Sequence, residues 1–105
     1  MSVPIVPGGQ EGVKEKTRPR AKEPKKYQVV LHNDNYTTME FVVEVLKGVF
    51  HKSPVEAHVI MMNVHKKGRG VVGLYPYDIA ATKVEQTRQM ARRNGHPLKC
   101  TMEEG

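Results

Sequence analysis

Tryptophan is missing from this chain, and cysteine occurs once, at Cys100. A lone cysteine excludes an internal disulfide, and nothing in the composition calls for an oxidising compartment. There is no CxxC pair and no HExxH motif. Among the five histidines, at 32, 51, 58, 65 and 96, only His58 and His65 fall near one helical face, and two helical turns separate them. That is too far to share one ion, so no metal site is expected. No apolar run approaches the roughly 20 residues of a membrane helix. The opening "MSVPIVPGGQ" lacks the charged start and apolar centre of a secretory signal. A cytoplasmic protein is the expectation.

Catalytic signatures are absent too. "KKGRGVVG" contains glycines, but it leads into a strand, whereas a phosphate loop opens a helix. Cys100 has no motif around it that would activate a thiolate and reads as a small core residue. Asp34 is the one carboxylate in a promising place, and paired acid–base chemistry needs two that converge. The other acids read as helix-face or capping groups. The chain is therefore expected not to be an enzyme and to need no cofactor.

The formal charge is +6. A basic balance invites a nucleic-acid partner, but its distribution argues otherwise. Residues 1–26 carry seven Lys/Arg and three Glu, a net of +4, whereas residues 27–105 carry ten Lys/Arg and eight Asp/Glu, a net of +2. Residues 1–26 are rich in Pro, Gly, Lys and Glu and nearly free of large apolar groups. Such a segment cannot bury enough surface to offset its chain entropy. It reads as a disordered basic N-terminal extension before a single core domain over 27–105.

Within the core, "YQVVLH" (27–32) is β-branched and aromatic, the pattern of a strand. After the turn "NDN", Thr37 and Glu40 have capping-box spacing, which predicts a helix from about Thr38 to Phe50. Met39, Val42, Val43, Leu46, Val49 and Phe50 make its apolar stripe. "SPVE" (53–56) combines a Ser cap, Pro at the first helical position and Glu three residues on, predicting a second helix to Val64 or His65. "VVGLY" (71–75) reads as a strand, 77–94 as a helix stopped by Asn94-Gly95 and Pro97, and "LKCTM" (98–102) as a last strand. The order β-α-α-β-α-β implies an α+β sandwich: three antiparallel strands with three helices packed on one side.

The stretch "LHNDNYTTMEF" (31–41) crowds three amide or carboxylate side chains into one turn. Turn chemistry explains Asn and Asp there, and so does a polar binding site. Met39 and Val42 lie one turn apart beside it, while Met61, Val64 and His65 share a face of the second helix. Core filling is the bland explanation for the methionines, but methionine also adapts to irregular apolar ligands. Apolar walls with Asn and His acceptors at the rim suit a ligand that has one greasy and one ammonium end.

The blocks "YQVVLHNDNYTTMEFVVEVLKGVF", "AHVIMMNVHKKGRGVVGLY", "DIAATKVEQ" and "ARRNGHPLKCTME" occur in this order, and over about residues 24–103 the chain resembles the ClpS family. These are adaptors that deliver N-degron substrates to an ATP-driven Clp unfoldase and protease. The resemblance implies that Asn33, Asn35 and His65 bind the free α-amino group of the substrate's first residue. It implies a pocket of Leu31, Thr37, Met39, Val42, Met61, Val64 and Leu98 for a Leu, Phe, Tyr or Trp side chain, with Met39 as gatekeeper against Ile and Val. Asp78, Thr82 and Lys83 would dock on the N-terminal domain of a ClpA- or ClpC-like unfoldase, by a protein working as a monomer away from membranes. The family commonly has Asp where this chain has Asn35. An amide keeps an acceptor but loses the charge, and charge-assisted bonds are about twice as strong as neutral ones. The rival function is a basic nucleic-acid- or ribosome-associated module on a similar fold.

Overall fold

The computed structural model describes residues 24–105. The expected extension, residues 1–26, falls almost wholly outside the described residues. Six elements follow in order: β1 (Lys26–His32), α1 (Met39–Gly48), α2 (Pro54–Lys67), β2 (Arg69–Pro76), α3 (Tyr77–Arg93) and β3 (Lys99–Glu104). The sheet order is β2-β1-β3, antiparallel throughout.

The central strand explains the layering. Side chains alternate between the faces of a strand, yet Val29, Val30 and Leu31 of β1 are all 0% exposed. Val29 and Leu31 join the core with Val72 of β2, Cys100 of β3 and residues of all three helices. The helices therefore cover one face. Val30 points to the other face. There Arg69 of β2, opposite His32, reaches Glu103 of β3, opposite Gln28, through two contacts of 3.0 and 2.9 Å from one guanidinium nitrogen. By this register the ion pair passes over the middle of β1. His32 Nε2 and Thr101 Oγ1 share a hydrogen bond of 2.8 Å on the same side. Burial, reinforced by the positive charge of Lys99 and Arg69, pushes His32 below its ordinary pKa.

Each helix presents an apolar stripe to the sheet: Phe41, Val42, Val45 and Leu46 from α1, Ala57, Met61 and Val64 from α2, and Ala80, Val84 and Ala91 from α3. Burying a side chain such as Leu46 or Leu31 stabilises the fold by about 1.5–3 kcal/mol, so these stripes hold the layers together. The capping box expected at Ser53 is present: the Ser53 hydroxyl accepts from the Glu56 N–H at 3.1 Å and the Glu56 carboxylate accepts from the Ser53 N–H at 3.3 Å.

Several expected boundaries move. The cap of α1 is Thr38, whose hydroxyl accepts from the Phe41 N–H at 3.1 Å, and the expected box of Thr37 with Glu40 does not form. The reason is that Thr37 is taken by the preceding turn, where its hydroxyl donates to Asp34 at 2.7 Å. Helix α1 ends at Gly48 rather than Phe50. Past its end, the Lys83 ammonium donates to the Val49 carbonyl at 2.7 Å and lies 5.7 Å from the Phe50 ring centroid. Helix α2 runs on to Lys67 because Gly68, at φ 89°, supplies the left-handed C-cap that a residue with a Cβ disfavours. Strands β1 and β2 are longer than their apolar runs, since ladder bonds recruit polar neighbours such as Lys26 and Arg69.

Candidate functional site

The polar turn between β1 and α1 is built around Asp34. One oxygen of its carboxylate accepts from the N–H groups of Tyr36 at 2.8 Å and Thr37 at 2.7 Å, and the other accepts the Thr37 hydroxyl at 2.7 Å. Asp followed by two such N–H contacts is the Asx turn that competes with helix and strand for the backbone. Burial alone would raise the Asp34 pKa. The bonds from Thr37 and Tyr36, helped by the charge of nearby His96, outweigh it and hold the carboxyl below the usual range. Asp34 is thus a fixed anion whose acceptors are already engaged inside the turn. The Asn33 and Asn35 side chains, both exposed, make no side-chain hydrogen bond within the described residues.

Across from this turn stands α2. Asn33 is tied to its end: the Asn33 N–H donates to the Gly68 carbonyl at 2.9 Å. Gly68 in turn donates its N–H to the Val64 carbonyl at 3.0 Å. The strand end, the turn and the last turn of α2 therefore form one framework.

They enclose a cavity of about 290 Å³. Its walls are Met39 and Val42 from α1 with Met61 and Val64 from α2, and its rim is Asn33, Asp34, Asn35, Thr37 and His65. Val42, Met61 and Val64 are buried, while Met39 stays 40% exposed at the opening. The structure so brings together eight of the ten residues expected for amine and side-chain binding. Leu31 and Leu98 are not among the residues lining this cavity; both pack in the buried core that also holds Val42, Met61 and Val64. Asp34, the one carboxylate that the sequence puts in a promising place, joins the rim beyond those ten.

A second, shallower hollow of about 350 Å³ adjoins the first and shares Met39 and Met61 with it, adding Glu40 and Val43. Asp78, Thr82 and Lys83 gather on the first turns of α3. Asp78 and Thr82 are exposed, with the Thr82 hydroxyl donating to the Asp78 carbonyl at 2.9 Å. Lys83 is half-buried and already bonded to Val49. Cys100 is fully buried, and burial pushes its thiol up to about 11. Among the described residues no three His, Cys, Asp or Glu stand where they could hold a metal ion, and no helix is long and apolar enough to cross a membrane.

Chemically, this is a one-ended pocket. Its depth is apolar, and its mouth carries amide and imidazole acceptors beside a fixed carboxylate. A ligand with an apolar body and several N–H donors at one end satisfies both parts.

Comparison with known proteins gives a consistent result. The family model of the ATP-dependent Clp protease adaptor protein ClpS matches residues 22–101. The chain is 56% identical over 82 residues to the ATP-dependent Clp protease adapter protein ClpS of Syntrophus aciditrophicus, covering 78% of this chain and 77% of that one. With the same-named protein of Clostridium acetobutylicum it is 53% identical over 94 residues, covering 90% and 91%. The solved structure of Agrobacterium tumefaciens ClpS2 bound to L-phenylalaninamide superposes with a TM-score of 0.76 at 41% identity, over 79% of this chain and all of that one. With such a family match across most of its length, the chain belongs to the ClpS family of ATP-dependent Clp protease adaptor proteins.

Proposed function

We propose that the protein is an adaptor that captures N-degron substrates by a free α-amino group and a bulky apolar first residue, and hands them to a Clp unfoldase and protease. The observation that carries this reading is the cavity between α1 and α2, apolar within and ringed by Asn33, Asn35 and His65. L-phenylalaninamide, the ligand of the Agrobacterium tumefaciens ClpS2 structure, has that same pair of features: a free amine and an aromatic side chain.

The energetics select for both ends together. Burying a Leu or Phe side chain contributes about 1.5–3 kcal/mol. An ammonium left without acceptors on entering the pocket would cost at least as much. Asn33, Asn35 and His65 supply those acceptors, so a blocked or internal nitrogen is rejected. Leu, Phe, Tyr and Trp are the side chains for Met39, Val42, Met61 and Val64 to hold, with Thr37 at the rim and Leu31 and Leu98 packing behind. Met39 at the mouth crowds a side chain branched at Cβ, which disfavours Ile and Val. The protein acts by binding, as a monomer in the cytoplasm, and catalyses nothing itself.

Delivery needs a second surface. Asp78 and Thr82 on α3 are the residues for docking on the N-terminal domain of a ClpA- or ClpC-like unfoldase, with Lys83 contributing whatever part of its ammonium Val49 leaves accessible. Residues 1–26 serve transfer rather than capture, so deleting residues 1–20 leaves peptide affinity unchanged and slows degradation.

Fluorescence anisotropy with Leu-, Phe-, Ile- and acetyl-Phe-starting peptides tests the reading. The first two bind, and the acetylated peptide does not. Equal binding of free and acetylated peptides, or steeply salt-dependent binding of DNA or RNA without peptide capture, would overturn it.

A further inference from the structure

The shallower hollow of about 350 Å³ has no part in holding an amine or a first side chain. It is lined by Glu40 and Val43 of α1, with Met39 and Met61 shared with the deep cavity. None of Asn33, Asn35 and His65 lines it. Helical spacing orders its parts. Met39 and Val43, four residues apart, make an apolar floor, with Val43 half-buried against the core. Glu40, three residues before Val43, is exposed, and the exposed Glu44 continues its acidic edge one turn on. Among the described residues neither carboxylate enters an ion pair.

Chain direction decides what can reach this hollow. A first residue whose amine meets the acceptor rim, and whose side chain fills the deep cavity, continues only through its carbonyl. The next Cα lies about 3.8 Å on, and the hollow is the adjoining space free of amine acceptors. We propose, resting on the capture of a free amine argued above, that the hollow receives the side chain of the substrate's second residue, and that Glu40 makes it favour Lys or Arg over Asp or Glu. A long basic side chain matches both parts: its methylene stem covers Met39 and Val43 while its charged end stays in water beside Glu40. An acidic second residue meets like charge there. Glu40 is thus a specificity-determining residue for a position that the deep cavity does not read.

Competition against one labelled Leu-starting peptide tests this with L-phenylalaninamide and with Phe-starting peptides that differ only in a second residue of Lys, norleucine or Glu. In the parent, the Lys peptide binds about three- to tenfold more tightly than the Glu peptide, the range of one exposed attraction replaced by one repulsion. Added salt narrows that ratio. Glu40→Gln brings it close to one, and Glu40→Lys inverts it. L-Phenylalaninamide has no second side chain and binds all three proteins alike. The norleucine peptide shifts the Val43 methyl NMR signals, whereas L-phenylalaninamide leaves them in place. A Lys-to-Glu ratio of one in the parent, or a ratio that survives Glu40→Lys, would overturn the proposal. So would an equal loss of L-phenylalaninamide affinity in Glu40→Gln, which would put the charge of Glu40 on the amine. Val43 signals that move when residues 1–20 are deleted, and not when peptide is added, would make the chain's own N-terminal segment the occupant and overturn it too. A parent that fails to bind L-phenylalaninamide removes the capture reading itself, an outcome distinct from capture without any preference at the second position.

Discussion

The backbone N–H of Asn33 donates to the carbonyl of Gly68 at 2.9 Å, joining the first residue of the polar Asn33–Asp34–Asn35 turn to the residue that caps α2. Through this bond the two amine-binding candidates, Asn33 and His65, lie on one framework although 32 positions separate them in the chain. Their relative placement is a property of backbone geometry, which makes the effect of side-chain truncation interpretable.

Truncating either one tests the mouth of the cavity. Asn33→Ala and His65→Ala each remove one acceptor for a charged donor, a contribution of about 1.5–3 kcal/mol. Affinity for a Phe-starting peptide falls by about ten- to a hundredfold, while the melting temperature stays close to the parent's because both side chains are exposed. Isothermal titration calorimetry with free and acetylated peptides measures both. A His65→Ala protein that discriminates as sharply as the parent contradicts the assigned role.

Asn35 stands where the resemblance implies an Asp in other family members. Asn35→Asp adds a second carboxylate at the rim, beside Asp34, whose own oxygens are engaged in the turn. Binding of a free-amine peptide tightens several-fold, and the gain shrinks as salt is added, as expected for an exposed charge. Unchanged affinity at low salt counts against the charge argument.

Met39 is the proposed gatekeeper. It stands at the opening, part exposed, between the deep cavity and the shallower hollow along Glu40 and Val43. Met39→Ala widens that opening, so Ile- and Val-starting peptides gain relative to Leu. A competition series against one labelled Leu peptide reads the ratio directly. An unaltered Ile-to-Leu ratio rejects the gatekeeper role.

Acid acts on the polar turn through Asp34. Its carboxyl is held below the ordinary value of 3.8, so the unfolded chain binds more protons than the folded one as the pH drops past that value. The stabilisation by Asp34 is complete above the unfolded value and is lost as pH falls through the lower folded value. Thermal unfolding between about pH 5 and pH 2 therefore shows a shallower loss for Asp34→Asn than for the parent. Parallel curves would mean that the turn does not depend on the anion.

Cys100 offers an independent probe of the core. It is 0% exposed and its thiol is pushed up to about 11 by burial, against smaller opposing effects of Thr87 and Arg88. Since the thiolate is the reactive form, alkylation near neutral pH is slow and follows opening of the core. Labelling of the native protein at the rate of a free thiol would show that β3 detaches readily.

Local chemistry wrote much of this protein legibly. The Ser53–Glu56 capping box, Pro54 and the apolar period of α1 are short-range signals, so α2 began where its sequence said, and β-α-α-β-α-β followed from such signals in order. The two apolar pairs of the cavity, Met39 with Val42 and Met61 with Val64, were readable for the same reason, since helical spacing alone places them on a face. Tertiary competition settled the rest. Thr37 had the spacing of a cap but was claimed by Asp34, a choice between two hydrogen-bond partners that no periodicity can express. Leu31 and Leu98 are apolar candidates on other elements, and the fold packs them into the core shared with Val42, Met61 and Val64 without placing them among the residues that line the cavity. Lys83 resembled a free docking charge until the end of α1 arrived beside it and offered the Val49 carbonyl. Spacing along a chain determines which side chains share a face. Which partner each one meets depends on elements far away in sequence, and that is decided only when the layers close.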